Sequence, residues 1–163
     1  MQTVQDLHTL PEFEEFSNLV LTAARGVTEF LHVGEEGIEI TSCWANINPS
    51  GKGNPQHTHP NNYLGGVYYV DVPENAGSII FEDPRPQAHV VSPRVSQSTA
   101  ENSGRAEVSV EEGVLLIFPA WLVHHVPPNP ANRNRISISY NLMFPAFTEK
   151  VSPAKWQGNL QTS

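Results

Sequence analysis

Apolar positions along this chain recur with two different periods. Leu10, Phe13, Phe16, Leu19, Val20, Ala23, Val27, Phe30 and Leu31 return at helical spacing and predict an amphipathic helix over residues 9–31. Thr9-Leu10-Pro11-Glu12 has the form of a capping box, with proline in the first turn where its missing N–H costs nothing. The N-terminal helical segment extends at most over 9–33, because Gly34 and Gly37 break the pattern. From there the period becomes two. Ile38–Ile47 nearly alternates and ends at the turn Asn48-Pro49-Ser50-Gly51; Leu64–Val72 stops at Pro73; Ser78–Phe81 stops at Asp83-Pro84. Val114–Phe118 is wholly apolar, as in a central strand, and Arg135–Leu142 alternates strictly, so it must present two chemically different faces. Residues 91–107 are polar and read as a long flexible loop. The tail from Pro145, including Trp156, has no clear period. A helix followed by about eight short strands, with no helix between them, predicts a mainly β jelly-roll. This is a cupin-like double-stranded β-helix, with its barrel core at 38–144 in a single domain of residues 1–163.

Composition narrows the function classes. The 163 residues can bury one sizeable core, and 14 prolines and 11 glycines favour strands and turns over a helical bundle. The net charge of −8 is uneven: residues 1–40 hold eight acids and one base, a balance of −7, and the rest hold nine acids and eight bases, a balance of −1. No basic stripe is present, which argues against a nucleic-acid partner. The single cysteine, Cys43, forms no internal disulfide and reads as a small apolar residue beside a strand in a reducing compartment. The first residues lack the basic and apolar regions of a signal peptide, and the longest apolar runs are about six residues. A cytoplasmic protein without a membrane partner is expected.

The candidate chemistry lies in the histidines. His57-Thr58-His59 precedes the Leu64 strand, and in an extended segment residues i and i+2 point to one side, so both imidazoles can face one point. His-x-His alone is a weak signal. His124 and His125 follow the apolar strand and would stand near the mouth of the same barrel, where three nitrogens could make an open face for a transition metal. Spacing alone leaves open that these two histidines simply cap a strand. His8, His32 and His89 have no partner motif and read as surface residues.

Four stretches, in order over residues 44–141, carry a resemblance: Trp44-Ala45-Asn46; His57-Thr58-His59-Pro60 running to Gly66-Val67-Tyr68-Tyr69-Val70; Phe118-Pro119-Ala120-Trp121-Leu122 with His124; and Arg135-Ile136-Ser137-Ile138-Ser139-Tyr140-Asn141. The chain resembles the Fe(II)/2-oxoglutarate-dependent oxygenases, in particular a small bacterial and phage branch with a His-x-His…His motif. It also resembles prolyl-hydroxylase-type enzymes in the offsets of His124, Val126 and Pro128 and in the downstream arginine. The resemblance implies His57, His59 and His124 as metal ligands, His124 being preferred to His125 by those offsets. It implies Arg135 as the partner of the far carboxylate of 2-oxoglutarate, a role suited to a guanidinium fork. Ser137 on the same strand face and Tyr69 would assist, with Tyr68 competing for the tyrosine role. Fe(II), O₂ and 2-oxoglutarate as co-substrate, and hydroxylation of a substrate with release of succinate and CO₂, follow as expectations.

One departure stands out. Most of the superfamily has Asp or Glu two residues after the first histidine, where this chain has His59, so an anionic ligand is replaced by a neutral one. Two other readings therefore stay open: a three-histidine cupin-like metalloenzyme without 2-oxoglutarate, and a non-catalytic β-sandwich binding module. The first leaves Arg135 and Ser137 without a task. The expected partners are the small-molecule co-substrate and a substrate that is either a peptide side chain or a metabolite; the chain could also pair as a homodimer.

Overall fold

A computed structural model of the chain describes residues 1–33, 37–85, 90–91, 93–99 and 102–145. Two single 3-10 turns, Leu7–Thr9 and Pro11–Phe13, lead into the helix α1, Glu14–Phe30. Eight strands follow: β1 (Glu39–Asn48), β2 (Asn54–His57), β3 (Leu64–Asp71), β4 (Ser78–Glu82), β5 (Arg105–Ser109), β6 (Leu115–Pro119), β7 (His124–Val126) and β8 (Arg135–Met143). They form two four-stranded sheets in the orders β1-β8-β3-β6 and β2-β7-β4-β5, with every pairing antiparallel. This is the jelly-roll that the strand pattern predicts.

The alternation along β8 explains how the sheets pack. Ile138, Tyr140 and Leu142 face the helix, where Val20 and Ala24 are fully buried against Tyr140, Leu142, Cys43 and Leu64. Arg135, Ser137 and Ser139 face inward, toward the second sheet, and line the barrel cavity. An arginine strand face and an isoleucine strand face are thus both covered, because α1 lies on the outside of the sheet. The glycine pair in β3 serves both sides. A Cβ at Gly66 would lie 2.4 Å from the Tyr140 ring, whose hydroxyl donates to the Leu116 carbonyl at 3.0 Å. A side chain there would displace the ring that seals the helix side. Cys43 is fully buried on the same side and its thiol is pushed up to about 11 by burial, so it packs as an apolar residue.

Four details differ from the sequence-based expectation. The helix starts at Glu14, not at Thr9: the Thr9 hydroxyl donates to the Asp6 carbonyl within a 3-10 turn, and no side chain caps either turn or the helix. The apolar column is Phe13, Phe16, Val20, Ala24 and Val27, while Leu19 and Phe30 are 51 % and 81 % exposed. At about 100° per residue, Leu19 is turned away from Val20 and the sheet. The polar loop is shorter than predicted, because Arg105–Ser109 pairs with β4. Finally, β2 and β7 are strands although Asn54-Pro55-Gln56-His57 has no apolar alternation; they exist by cross-strand pairing, β2 with β7 and β7 also with β4. His89 and Trp156 lie outside the described residues. No described helix is long and apolar enough to cross a membrane.

Candidate metal centre

Pairing of β2 with β7 places His57 directly opposite His124. His59 follows in the next turn, held where its main-chain N–H donates to the Ala120 carbonyl at 2.8 Å. The ring centroids of His57 and His124 are 4.4 Å apart, and His59 stacks on His124 at 5.1 Å with an interplanar angle of 6°. One nitrogen from each ring lies within 4.8 Å of the other two. His59 and His124 are buried, and His57 sits at the partly exposed mouth. Gly65 makes room for His59: a Cβ there would lie 3.0 Å from His59 Cδ2 and 3.1 Å from the Phe118 ring.

The protonation pattern suits a cation. His57 Nδ1 lies 2.8 Å from the Pro55 carbonyl, and His124 Nδ1 lies 2.8 Å from the Leu122 carbonyl. A carbonyl accepts only, so each Nδ1 carries the hydrogen and each Nε2 presents a lone pair. Burial, above all, lowers the proton affinity of His124 to a pKa of about 4, and that of His59 also falls through burial and the nearby His57. His59 Nε2 and His124 Nε2 stand 3.3 Å apart. Two neutral imidazole lone pairs at that distance need a shared proton or a metal ion between them. An Nε2–H of one neutral ring or a metal ion can fill that gap, and the donor set fits a divalent transition metal that accepts imidazole, including iron.

Tyr69, Arg135 and Ser137 line the same cavity, together with Trp44, Asn46, Phe118 and Ser139. Arg135 is 3 % exposed. Its guanidinium donates to the Ala76 carbonyl at 2.8 Å and the Pro127 carbonyl at 3.3 Å, and among the described residues it has no carboxylate partner. Burial lowers its proton affinity. Ser137 stands between Asn46 and Tyr69 in the strand register. The Tyr69 hydroxyl is buried without a hydrogen-bond partner among the described residues, and burial pushes it up to about 12, against the pull of Arg135. Tyr68 points the other way, edge-on to Phe16 under the helix, with ring centroids 5.7 Å apart. His125 also points away from the cluster, with its Nδ1 3.5 Å from Glu82. His8 and His32 lie outside the cluster.

Residue reasoning assigned no task to Trp44, Asn46 or Gln2. The Trp44 indole N–H is buried beside His59 with no partner among the described residues, and Asn46 donates to Ser139 while accepting from Gln2. The even-numbered face of β1 carried the signal, since Trp44, Asn46 and Asn48 share it.

Residues 42–141 match the family described as "Putative 2OG-Fe(II) oxygenase". Among solved structures, an oxidoreductase of the 2OG-Fe(II) oxygenase family from Burkholderia pseudomallei is similar, with a TM-score of 0.60 and 16 % identity over 86 % of this chain and 60 % of its own. A Pseudomonas putida prolyl-4-hydroxylase gives 0.58 and 15 %, over 87 % of this chain and 69 % of its own. HygX from Streptomyces hygroscopicus, with iron bound, gives 0.59 and 13 %, over 91 % and 74 %. At these identities the likeness speaks for the fold, and the chain spans about 60 % of the length of the first relative. No curated protein matches the sequence.

Proposed function

The chain belongs to the 2OG-Fe(II) oxygenase family, and from that premise we propose that it hydroxylates a substrate at the expense of O₂ and 2-oxoglutarate. In this reading His57, His59 and His124 hold Fe(II), and Arg135 anchors the far carboxylate of 2-oxoglutarate with Ser137 and Tyr69. When bound, the iron and its co-substrate supply the oxidising power, with succinate and CO₂ as the co-products.

The observation that carries the proposal is Arg135. A buried cation held by two carbonyls, in the cavity that also holds three convergent imidazoles, calls for an anionic guest. The cupin-like alternative gives it no such guest, and a passive binding module explains neither the arginine nor the paired imidazole lone pairs. The Tyr69 hydroxyl and the Ser137 side chain add donors on the same inner face. Three neutral ligands leave the metal's full charge to be balanced, and dianionic 2-oxoglutarate supplies that balance. Trp44 and Phe118 flank the histidines with apolar surface and keep water from the lone pairs.

Calorimetric titration of 2-oxoglutarate into the Mn(II)-loaded protein tests this. Arg135→Leu should weaken co-substrate binding by ~2–5 kcal/mol, as for one partner of a desolvated charge pair, with metal binding unchanged. Absence of wild-type binding, or equal affinity in the variant, would favour the cupin-like reading. Turnover of 2-oxoglutarate screened against peptides and metabolites then separates the two substrate classes.

A further inference from the structure

Two of the three clustered histidines are fixed from behind by a main-chain carbonyl two residues back, Pro55 for His57 and Leu122 for His124. Among the described residues no main-chain carbonyl does this for His59. Among the described residues, the ring-nitrogen contact of hydrogen-bond length that it makes is the 3.3 Å approach to His124 Nε2, on the side where a metal would sit. His59 lies on Gly65, and Gly65 is directly opposite Asn141 in the strand register.

Asn141 is oriented to serve there. It sits on the inner face of β8 with Arg135, Ser137 and Ser139, one strand alternation beyond Ser139. Its Nδ2 donates to Ser42 Oγ at 2.8 Å. Its Oδ1 is buried with no hydrogen-bond partner among the described residues.

We propose that Asn141 is the positioning residue of His59, its Oδ1 accepting Nδ1–H so that the Nε2 lone pair is turned to the metal, with Ser42 fixing the amide. The inference rests on the metal-site reading above and explains how a histidine stands where a carboxylate is common. A carboxylate ligand has no ring to orient and no tautomer to select; an imidazole has both, and needs an acceptor behind it. Ser42, Asn141 and His59 thus form a relay across β1, β8 and the turn after β2.

The test compares Asn141→Leu, which keeps the size and removes the acceptor, with Asn141→Asp, which keeps the acceptor. Mn(II) affinity should fall by about 10–100-fold in the leucine variant and stay near wild type in the aspartate variant. Nitrogen-15 NMR of the Zn(II)-loaded protein gives a readout that simple packing would not move. The protected His59 Nδ1–H should be present in wild type and Asn141→Asp and absent in Asn141→Leu, while the His57 and His124 signals remain. Should the leucine variant fail to fold, Asn141→Ala takes its place. Wild-type affinity and a retained Nδ1–H signal without the acceptor would overturn the proposal, as would an aspartate variant as weak as the leucine one. A wild-type protein that takes up no Mn(II) would overturn the metal centre itself, and the proposal with it.

Discussion

His124 and His125 are adjacent in sequence and opposite in chemistry. Strand alternation turns His124 into the barrel and His125 toward Glu82 on the outer side. His124→Ala should therefore abolish stoichiometric Mn(II) binding, and His125→Ala should leave it intact; equilibrium titration of both variants checks this. Protons tell the same story. In the folded protein His124 and His59 stay neutral below the ordinary histidine range, so below pH ~6.5 the unfolded chain binds more protons than the native one. The metal-free protein should lose stability as pH falls from ~6.5 toward 4, and His124→Gln should flatten that slope in melting curves. Metal binding at the proposed centre should benefit from the same shifts, since His59 and His124 would compete with protons only at lower pH.

Among the elements, α1 and β3 do the positioning. The helix covers the outer face of the strand whose inner face carries Arg135, so its column of Phe13, Phe16, Val20, Ala24 and Val27 holds the site indirectly. Val20→Ala should cost about 2 kcal/mol by lost burial and a small cavity, while Phe30→Ser at the exposed end should be neutral; denaturant titration separates the two. In β3 the two glycines divide the faces. Gly66→Ala should destabilise by ~1–3 kcal/mol through the displaced Tyr140 ring. Gly65→Ala pushes instead on the His59 ring, so its larger effect should be weaker Mn(II) binding rather than a lower melting temperature. The reverse ranking would mean that His59 is not held by β3.

For the whole molecule, a metal held as proposed would join parts of the chain that are far apart in sequence: His57 and His59 on one side and His124 on the other. A ligand that binds only the folded state stabilises it by ~2.7 kcal/mol at a hundredfold excess over its dissociation constant. Saturating Mn(II) should thus raise the melting temperature, and a chelator should reverse the gain. Adding 2-oxoglutarate should raise it further in wild type but not in Arg135→Leu. Differential scanning calorimetry resolves both steps.

The period-two runs at Ile38–Ile47, Leu64–Val72 and Arg135–Leu142 were legible as strands because burial of one face demands alternation, and each appears within one or two residues of its expected bounds. The sequence by itself also named the three histidines, since metal chemistry depends on residue type. Other features had no local signal. The strands β2 and β7 form only by cross-pairing, and the helix start depended on which turn of 9–31 met the sheet. The choice of Tyr69 over Tyr68, and of an inward Arg135 over an inward Ile136, needed the second sheet and the helix together. Alternation defines two faces, but only packing on both sides of the sheet decides which one looks into the barrel.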